Sequence, residues 1–446
     1  MITVLDPGLG EVVGEVVETR PEQLAAVVDT AQSASREWLT VGVEERRTIL
    51  REMTRILRPH AESLATTLTR EQGKPLAEAR AEIAISTGWF ESLASVSIES
   101  DSGRELPHLK AEVARRPVGV VGCISPANFP VTLSVVKLAA SLLAGNAAVV
   151  KPAPETPLAI SKLINLISPL VPEGLVSVVH GSGDLGVAMV ECRGIDRISY
   201  TGSTMAGRDV AVRAAQRLMP VTLELGGNDA AILMPGISDE AVERVARAAL
   251  VNAGQFCCAV KRVYVSECDE QRVADGIQAY LDTLSMGHGL DANTTLGPLT
   301  KAGQVRTLNE LLTDSELRAA RLSKAVQVPD QGNFFAPRVV QKLPDGSPLE
   351  LQEQFGPVIP VMTYRTVDEA VARANSTDFG LGGSVWGEGA PQIADRLNCG
   401  IRWIDSHGLL GHTVPFAGRK NSGIGVEYDT AGIEEFRQFH VTVRSR

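Results

Sequence analysis

Residues 254–260 read GQFCCAV, and the two adjacent cysteines pose the first chemical question. A thiolate, not a thiol, attacks carbonyl carbon. A free cysteine has a pKa near about 8.5, so such attack needs the thiolate stabilised or its proton removed. Attack also creates an oxyanion that requires fixed hydrogen-bond donors. Hydrolysis of the acyl group left on sulfur requires a base to activate water. Residue types suited to these tasks lie elsewhere in the chain: Asn128 in SPANFP (125–130) and Glu224 in LELGGN (223–228). Taken singly, each has a plainer reading. Cys257 and Cys258 would be small buried apolar side chains, and Glu224 a strand-end carboxylate. Gly226 and Gly227 after it would let a ligand approach the backbone closely.

Three turns suit a nucleotide. GSGDLG (181–186) fits G-x-G-x-x-G through Gly181, Gly183 and Gly186. It follows the third strand of its series rather than opening a βαβ unit, so a tight turn explains it equally well. In TGST (201–204), the amides around Gly202 and the Ser203 hydroxyl would face a phosphate at a helix N-terminus, or form an ordinary N-cap. KPAPE (151–155) places Lys151 and Glu155 at a strand end, where they would bracket a ribose or remain solvated loop charges.

The elements that must position these residues follow from patterning. Residues 20–100 carry apolar side chains at three- and four-residue spacing, with a helix opening at Pro21 and another stopping at Gly73 and Pro75. From 118 the rhythm changes to short β-branched runs: VGVVGCI, NAAVVKPA, LVSVVHG, DRISYTG and PVTLELGG, separated by helical stretches such as ETPLAISKLINLI. That alternation implies a doubly wound parallel sheet, with ligands at the carboxyl ends of its strands. Past 227 the alternation repeats through KRVYVS, FGPVIPVMTY and VDEAVARAN, so a second α/β domain is expected. The 446 residues, 44% of them hydrophobic, suffice for two or three packed domains. Net charge is −10 without a basic block, which disfavours nucleic acid. The most apolar stretch, 133–150, is interrupted by Lys137, Gly145 and Asn146 and is not a membrane span. Six cysteines without C-x-x-C and seven scattered histidines predict no metal site and no disulfide framework. With no signal-peptide pattern at the start, a cytoplasmic chain with reduced thiols is expected.

The ordered set SPANFP, KPAPE, TGST, LELGGN, GQFCC, EQFGPV (353–358) and PFAGRKNSG (415–423) resembles the NAD(P)-dependent aldehyde dehydrogenase superfamily. The motifs span nearly the whole chain. The family pattern Gly-Gln-x-Cys makes Cys257 the nucleophile and Cys258 a variable neighbour. The resemblance implies that Asn128 and the Cys257 N–H stabilise a thiohemiacetal oxyanion and that Glu224 activates water to hydrolyse the thioester. It assigns Lys151 and Glu155 to the adenosine ribose, Gly202 and Ser203 to the pyrophosphate, and Gly183 and Gly186 to the adenine side. Ile124, Ser125 and Pro126 would line the cofactor path, with Leu225, Gly226, Glu353 and Phe355 at the nicotinamide end.

The implied fold is a Rossmann-like cofactor domain (1–103 and 118–226), a catalytic domain (227–427) and a small β bridging segment (104–117 and 428–446). The bridging segment joins subunits into a homodimer or homotetramer. NAD is expected over NADP, because Glu155 would repel a 2′-phosphate. Ala127, Asn228, Gln352 and Ala417 depart from common family residues without removing a reacting group. The stretch 315–335 looks trimmed. His407 and His412, in DSHGLLGH, are expected either to touch substrate or to lie at the surface. With aromatic residues at 4%, few rings are expected around the substrate. No arginine cluster marks a carboxylate-bearing substrate, which favours a neutral aldehyde. A CoA-acylating enzyme is the alternative, which Glu224 argues against, since thiolysis needs no such base. A non-catalytic protein of the same fold is another.

Overall fold

Five short apolar runs form parallel strands, in the order Val176–Val178, Ala147–Lys151, Val120–Ile124, Arg197–Thr201, Val221–Glu224. All five runs named from the sequence are strands, and the order reverses beside Val120–Ile124, as in a doubly wound sheet. The computed structural model describes residues 1–98, 101–313 and 320–445, so part of the trimmed stretch 315–335, residues 99–100 and Arg446 lie outside it. A sixth strand comes from far down the chain. Gly423–Ile424 pairs antiparallel with Val221–Glu224, so part of the 227–427 region returns to the first sheet.

The helices form where the periodicity places them. Pro21–Trp38 begins on its proline and buries Leu24, Val28, Ala31 and Trp38, one apolar stripe. Ala61–Gln72 ends at Gly73, whose φ of 98° is the left-handed conformation of a helix C-cap. Pro157 stands at the N-cap of Leu158–Ile167. Pro130–Ala144 is buried nearly all round, Lys137 included.

A second, seven-stranded sheet runs Arg321–Leu322, Arg338–Gln341, Val358–Tyr364, Val260–Ser266, Asp229–Leu233, Gly382–Trp386, Ile401–Ile404, parallel except for the first pair. Its core is Val- and Ala-rich, with Val245, Val263, Val361 and Trp386 buried. A third sheet is antiparallel: Ser102–Leu106, Leu109–Pro117 and Arg437–Ser445. The fold is a Rossmann-like unit, a second α/β unit and a small β appendage. Among the described residues no helix is long and apolar enough to cross a membrane.

Candidate active site

The carboxyl ends of the parallel strands gather the motifs. Val120–Ile124 delivers Ser125, whose N–H donates to Lys151 O at 3.1 Å and whose hydroxyl lies 2.6 Å from that of Ser134. Arg197–Thr201 delivers Gly202, whose N–H donates to Glu224 O at 3.1 Å. Ser203 caps the helix Thr204–Gln216 by accepting from the Ala206 N–H at 3.3 Å. That helix start leaves backbone N–H groups available to an anion.

The GQFCC loop is entered through three consecutive left-handed residues, the last of them its own first glycine: Asn252 (φ 50°), Ala253 (φ 54°) and Gly254 (φ 74°). A non-glycine residue held this way costs about 1–3 kcal/mol and persists only where its surroundings dictate it. Hydrogen bonds supply that constraint. Asn252 Nδ2 donates to Asn128 O at 2.9 Å, and Gln72 Nε2 donates to Asn252 Oδ1 at 3.0 Å. Gln255 Nε2 donates to Asn252 O at 3.1 Å, while Gln255 Oε1 accepts from the Thr300 N–H at 3.0 Å. Asn128 is tied in twice more. Its Nδ2 donates to Gln255 O at 3.0 Å, and its carbonyl accepts from Lys74 Nζ at 2.8 Å. Lys74 is itself paired with Glu82 at 2.5 Å. One Asn128 N–H is therefore spent on the loop beside Cys257, leaving the second for another acceptor.

Cys257 is half-buried and Cys258 fully buried. Burial pushes the Cys258 thiol well above the usual range, which disfavours its thiolate. The carbonyl of Cys257 packs against Gly227, where any β-carbon would collide with it. This close approach requires glycine at position 227, and it brings LELGG against GQFCC.

Glu224 is buried, and neither carboxylate oxygen has a protein partner. Burial, then the neighbouring Glu427, raise its pKa well above the ordinary carboxylate value, against the pull of Lys137 and with a smaller contribution from the side of Cys257. Lys137 Nζ donates to Thr201 Oγ1 at 2.7 Å and is ion-paired with Glu427. Ser422 fixes the other side, accepting from the Leu225 N–H at 2.9 Å and donating to Gly226 O at 2.8 Å. Sequence reasoning gave Lys137, Glu427 and Ser422 no role. The signal was a lysine inside an otherwise apolar helix, which here marks a buried partner rather than a solvated break.

At the nicotinamide end of the resemblance, Gly226 packs against Glu353 Oε2, and Glu353 Oε1 accepts from the Gly227 N–H at 3.2 Å. Burial raises Glu353 to about 7, against the nearby Lys261. Phe355 adopts φ 46° with Lys261 Nζ 5.3 Å over its ring. At the other end, Gly186 lies against the Lys151 stem, while Gly183 starts the helix Gly183–Glu191 behind its Ser182 cap. Burial lowers Lys151 to about 8, partly countered by Glu155. Glu155 is more occupied than its sequence suggests: Oε1 pairs with Lys301 Nζ at 2.8 Å, while Oε2 is buried without a partner. That orphaned acceptor leaves Glu155 able to accept one further hydrogen bond. Ile124 ends its strand buried, and Pro126, two residues on, is half-buried.

Two expectations are corrected. His407 is neither at the surface nor free to meet substrate. It is buried, with Nδ1 2.8 Å from Ser384 Oγ and Nε2 2.9 Å from Cys258 O, because its loop folds back behind the cysteines. His412 is half-buried with its ring 4.4 Å from Trp89. Rings are also not scarce where they count. Phe129 and Phe256 meet edge-on at 5.3 Å beside Asn128 and Cys257, and Trp89, Phe416 and Tyr428 form a second cluster. Burial, then the nearby carboxylates and thiols, raises the Tyr428 hydroxyl well above its usual value.

The model of the aldehyde dehydrogenase family matches residues 1–442. The chain belongs to the aldehyde dehydrogenase family. Among similar proteins, an Escherichia coli succinate-semialdehyde dehydrogenase whose name specifies NADP(+) is 33% identical, over 98% of this chain and 92% of its own length. A Pseudomonas putida glutarate-semialdehyde dehydrogenase is 31% identical, over 98% and 92%. Among solved structures, an E. coli NADP-dependent enzyme superposes with a TM-score of 0.95 at 31% identity, covering 100% of this chain and 95% of its own. A Staphylococcus aureus betaine aldehyde dehydrogenase in complex with NAD+ gives 0.95 at 26%, covering 99% and 90%. This aldehyde dehydrogenase is therefore an oxidoreductase of a family that uses NAD(P).

Proposed function

We propose that this enzyme oxidises an aldehyde to a carboxylic acid through Cys257, with Glu224 as the base for deacylation and Asn128 as an oxyanion donor. The observation that carries this reading is Glu224: a buried carboxylate with both oxygens unpartnered, in electrostatic contact with Cys257. A buried carboxylate with no protein partner for either oxygen points to chemistry rather than to packing.

Cys257 Sγ adds to the aldehyde carbon, and the oxyanion takes hydrogen bonds from the free Asn128 N–H and the Cys257 backbone N–H. A nicotinamide dinucleotide held there would supply the hydride acceptor, so that the adduct on Cys257 becomes a thioester. Glu224 then takes a proton from water as the water attacks that thioester, and the acid leaves as the thiolate is restored. Lys151 and Glu155 would hold the adenosine ribose, Gly202 and Ser203 the pyrophosphate, and Leu225, Gly226, Glu353 and Phe355 the nicotinamide end. Ile124, Ser125 and Pro126 would line the way between, with Gly183 and Gly186 beside the adenine.

NAD is favoured over NADP, since the buried Glu155 oxygen would meet a 2′-phosphate as a like charge. The two relatives named above act on semialdehydes by name; for this chain the Phe129–Phe256 ring pair, in sequence beside Asn128 and Cys257, supports a neutral aldehyde instead. Residues 1–103 and 118–226 would form the cofactor domain, 227–427 the catalytic domain, and 104–117 with 428–446 the bridge. Exposed Phe439, Val441 and Val443 alternate along the outer strand of that bridge, a face suited to a second copy in a homodimer or homotetramer. A panel of neutral aldehydes and semialdehydes, each with NAD or NADP and read as reduced cofactor, tests the whole reading. No turnover on any aldehyde with either cofactor would overturn it.

A further inference from the structure

His407 lies on the loop after strand Ile401–Ile404, its ring 4.6 Å from that of Trp403. Every polar atom around it can be assigned. Nε2 is 2.9 Å from the carbonyl of Cys258, and a carbonyl only accepts, so Nε2 carries the proton. A neutral imidazole has one N–H, so Nδ1 is an acceptor and takes the hydroxyl hydrogen of Ser384, 2.8 Å away. The Ser384 oxygen in turn accepts from Trp386 Nε1, which can only donate, at 2.8 Å. Asp229 Oδ2 stands 3.7 Å from Nε2, outside hydrogen-bond reach, and Asp229 Oδ1 accepts from the Gly382 N–H at 3.0 Å. Burial lowers His407 to about 4, so the ring stays neutral at ordinary working pH.

We propose that Trp386, Ser384 and His407 form a hydrogen-bonded relay that positions the nucleophile loop through the carbonyl of Cys258. This inference rests on reading Cys257 as the nucleophile. The relay starts on the strand Gly382–Trp386, beside the edge strand Ile401–Ile404, and ends one residue past the reacting cysteine. Two successive peptide planes are thereby fixed: Cys257 O against Gly227, and Cys258 O on His407. The turn between them closes through the Ala259 N–H donating to Phe256 O at 3.1 Å. Fixing both planes sets where Cys257 presents its Sγ and its N–H, and a misplacement of about 1 Å at such a centre can cost about 10²-fold in rate. His407 never touches substrate in this scheme; it is a positioning residue.

The test uses the full-length enzyme and three variants: Ser384→Ala, His407→Leu and His407→Gln. Ring ¹⁵N shifts of the wild type should show His407 as the neutral Nε2–H tautomer. Ser384→Ala and His407→Leu should slow the NADH burst by roughly 10-fold or more and slow iodoacetamide labelling of Cys257 at every pH between about 7 and 9, with the Kd for NAD unchanged. His407→Gln, which keeps a side-chain N–H donor, should recover most of both rates. An Nδ1–H tautomer, or a Ser384→Ala enzyme with wild-type burst and labelling rates, would overturn the relay. If His407→Leu does not fold, the tautomer and Ser384→Ala still decide. The labelled peptide separates the two readings: label on Cys258 sinks the assignment of the nucleophile, whereas label on Cys257 at an unchanged rate sinks the relay alone.

Discussion

The two ends of the proposed site are built differently. Around Cys257, the partners are buried and interlocked: Asn128, Asn252 and Gln255 share bonds, and Lys74, Lys261 and His407 each hold a carbonyl of that network. Around Glu155 only recognition is at stake, and the partners are charges on strand ends and loops, with Lys301 54% exposed. Buried networks tolerate little change because an unpaired polar group left in a dry site costs about 1–3 kcal/mol. Exposed pairs contribute about 0–1 kcal/mol and rearrange easily. Reaction geometry is therefore expected to be brittle here, and cofactor preference adjustable.

The sharpest way to break that comparison is at the nucleophile. Cys257→Ala should abolish turnover, by roughly 10⁴-fold or more, as removal of a nucleophile does elsewhere. Cys258→Ala should retain most of it, because Cys258 is buried with its thiol pushed up. The reverse result would place the chemistry on the wrong cysteine.

Glu224→Gln should come next, at roughly 10²–10⁴ in the steady state. It should release one burst of NADH and then stall with the thioester intact, which mass spectrometry would detect as an acylated enzyme. The sign of the pH effect follows from the raised carboxyl. Below its folded pKa Glu224 is protonated and cannot act as a base, so wild-type thioester hydrolysis should accelerate as pH rises through that value. The Glu224→Gln enzyme should lose this dependence. A burst variant that keeps the wild-type pH profile would remove Glu224 from deacylation.

Asn128→Ala should instead slow acylation, by roughly 10²–10³, with no burst ahead of a slower steady state. Some of that loss would be structural, since Asn128 also donates to Gln255 O. Asn128→Asp keeps the shape but replaces the donor with an acceptor, and it should be as slow. A fast Asn128→Asp enzyme would show that the amide supports the loop and not the oxyanion.

How far these parts were legible differs between them. The five strands of the first sheet were readable because buried parallel strands are continuous β-branched runs bounded by glycine. The helices at Pro21 and up to Gly73 announced their own ends. The return of Gly423–Ile424 to the first sheet was not readable, because a two-residue strand has no periodicity. His407 was misjudged for a related reason. A histidine in a loop looks polar in sequence, and only the fold shows that its two nitrogens meet Ser384 and Cys258. Lys137 left a trace, a charge in an apolar helix, but its partner Glu427 lies 290 positions away. Low aromatic content describes the whole chain and does not foresee that Phe129 and Phe256, next to Asn128 and Cys257 in sequence, meet edge-on.

The smallest expected effect lies at the other end, in the choice between NAD and NADP. The sequence presents Glu155 as a carboxylate beside Lys151, which predicts rejection of a 2′-phosphate. The structure adds Lys301, whose Nζ pairs with Glu155 Oε1 at 2.8 Å. Lys301 neutralises part of the charge that would repel the phosphate and supplies a cation that can meet it, so it should weaken the preference for NAD. Because the pair is partly exposed, at 54% and 33%, its influence is limited to about 1 kcal/mol, or somewhat under tenfold in a ratio. Lys301→Ala is therefore expected to raise the ratio of kcat/KM for NAD over NADP several-fold. Glu155→Gln should lower that ratio by roughly tenfold, since Lys151 and Lys301 would then face the ribose edge without an anion between them. Isothermal titration of ADP against 2′,5′-ADP on the same variants reads the preference without turnover. If both substitutions leave the two ratios unchanged, the KPAPE turn does not read the ribose. If Glu155→Gln shifts them and Lys301→Ala does not, the ion pair is a surface contact that the cofactor ignores.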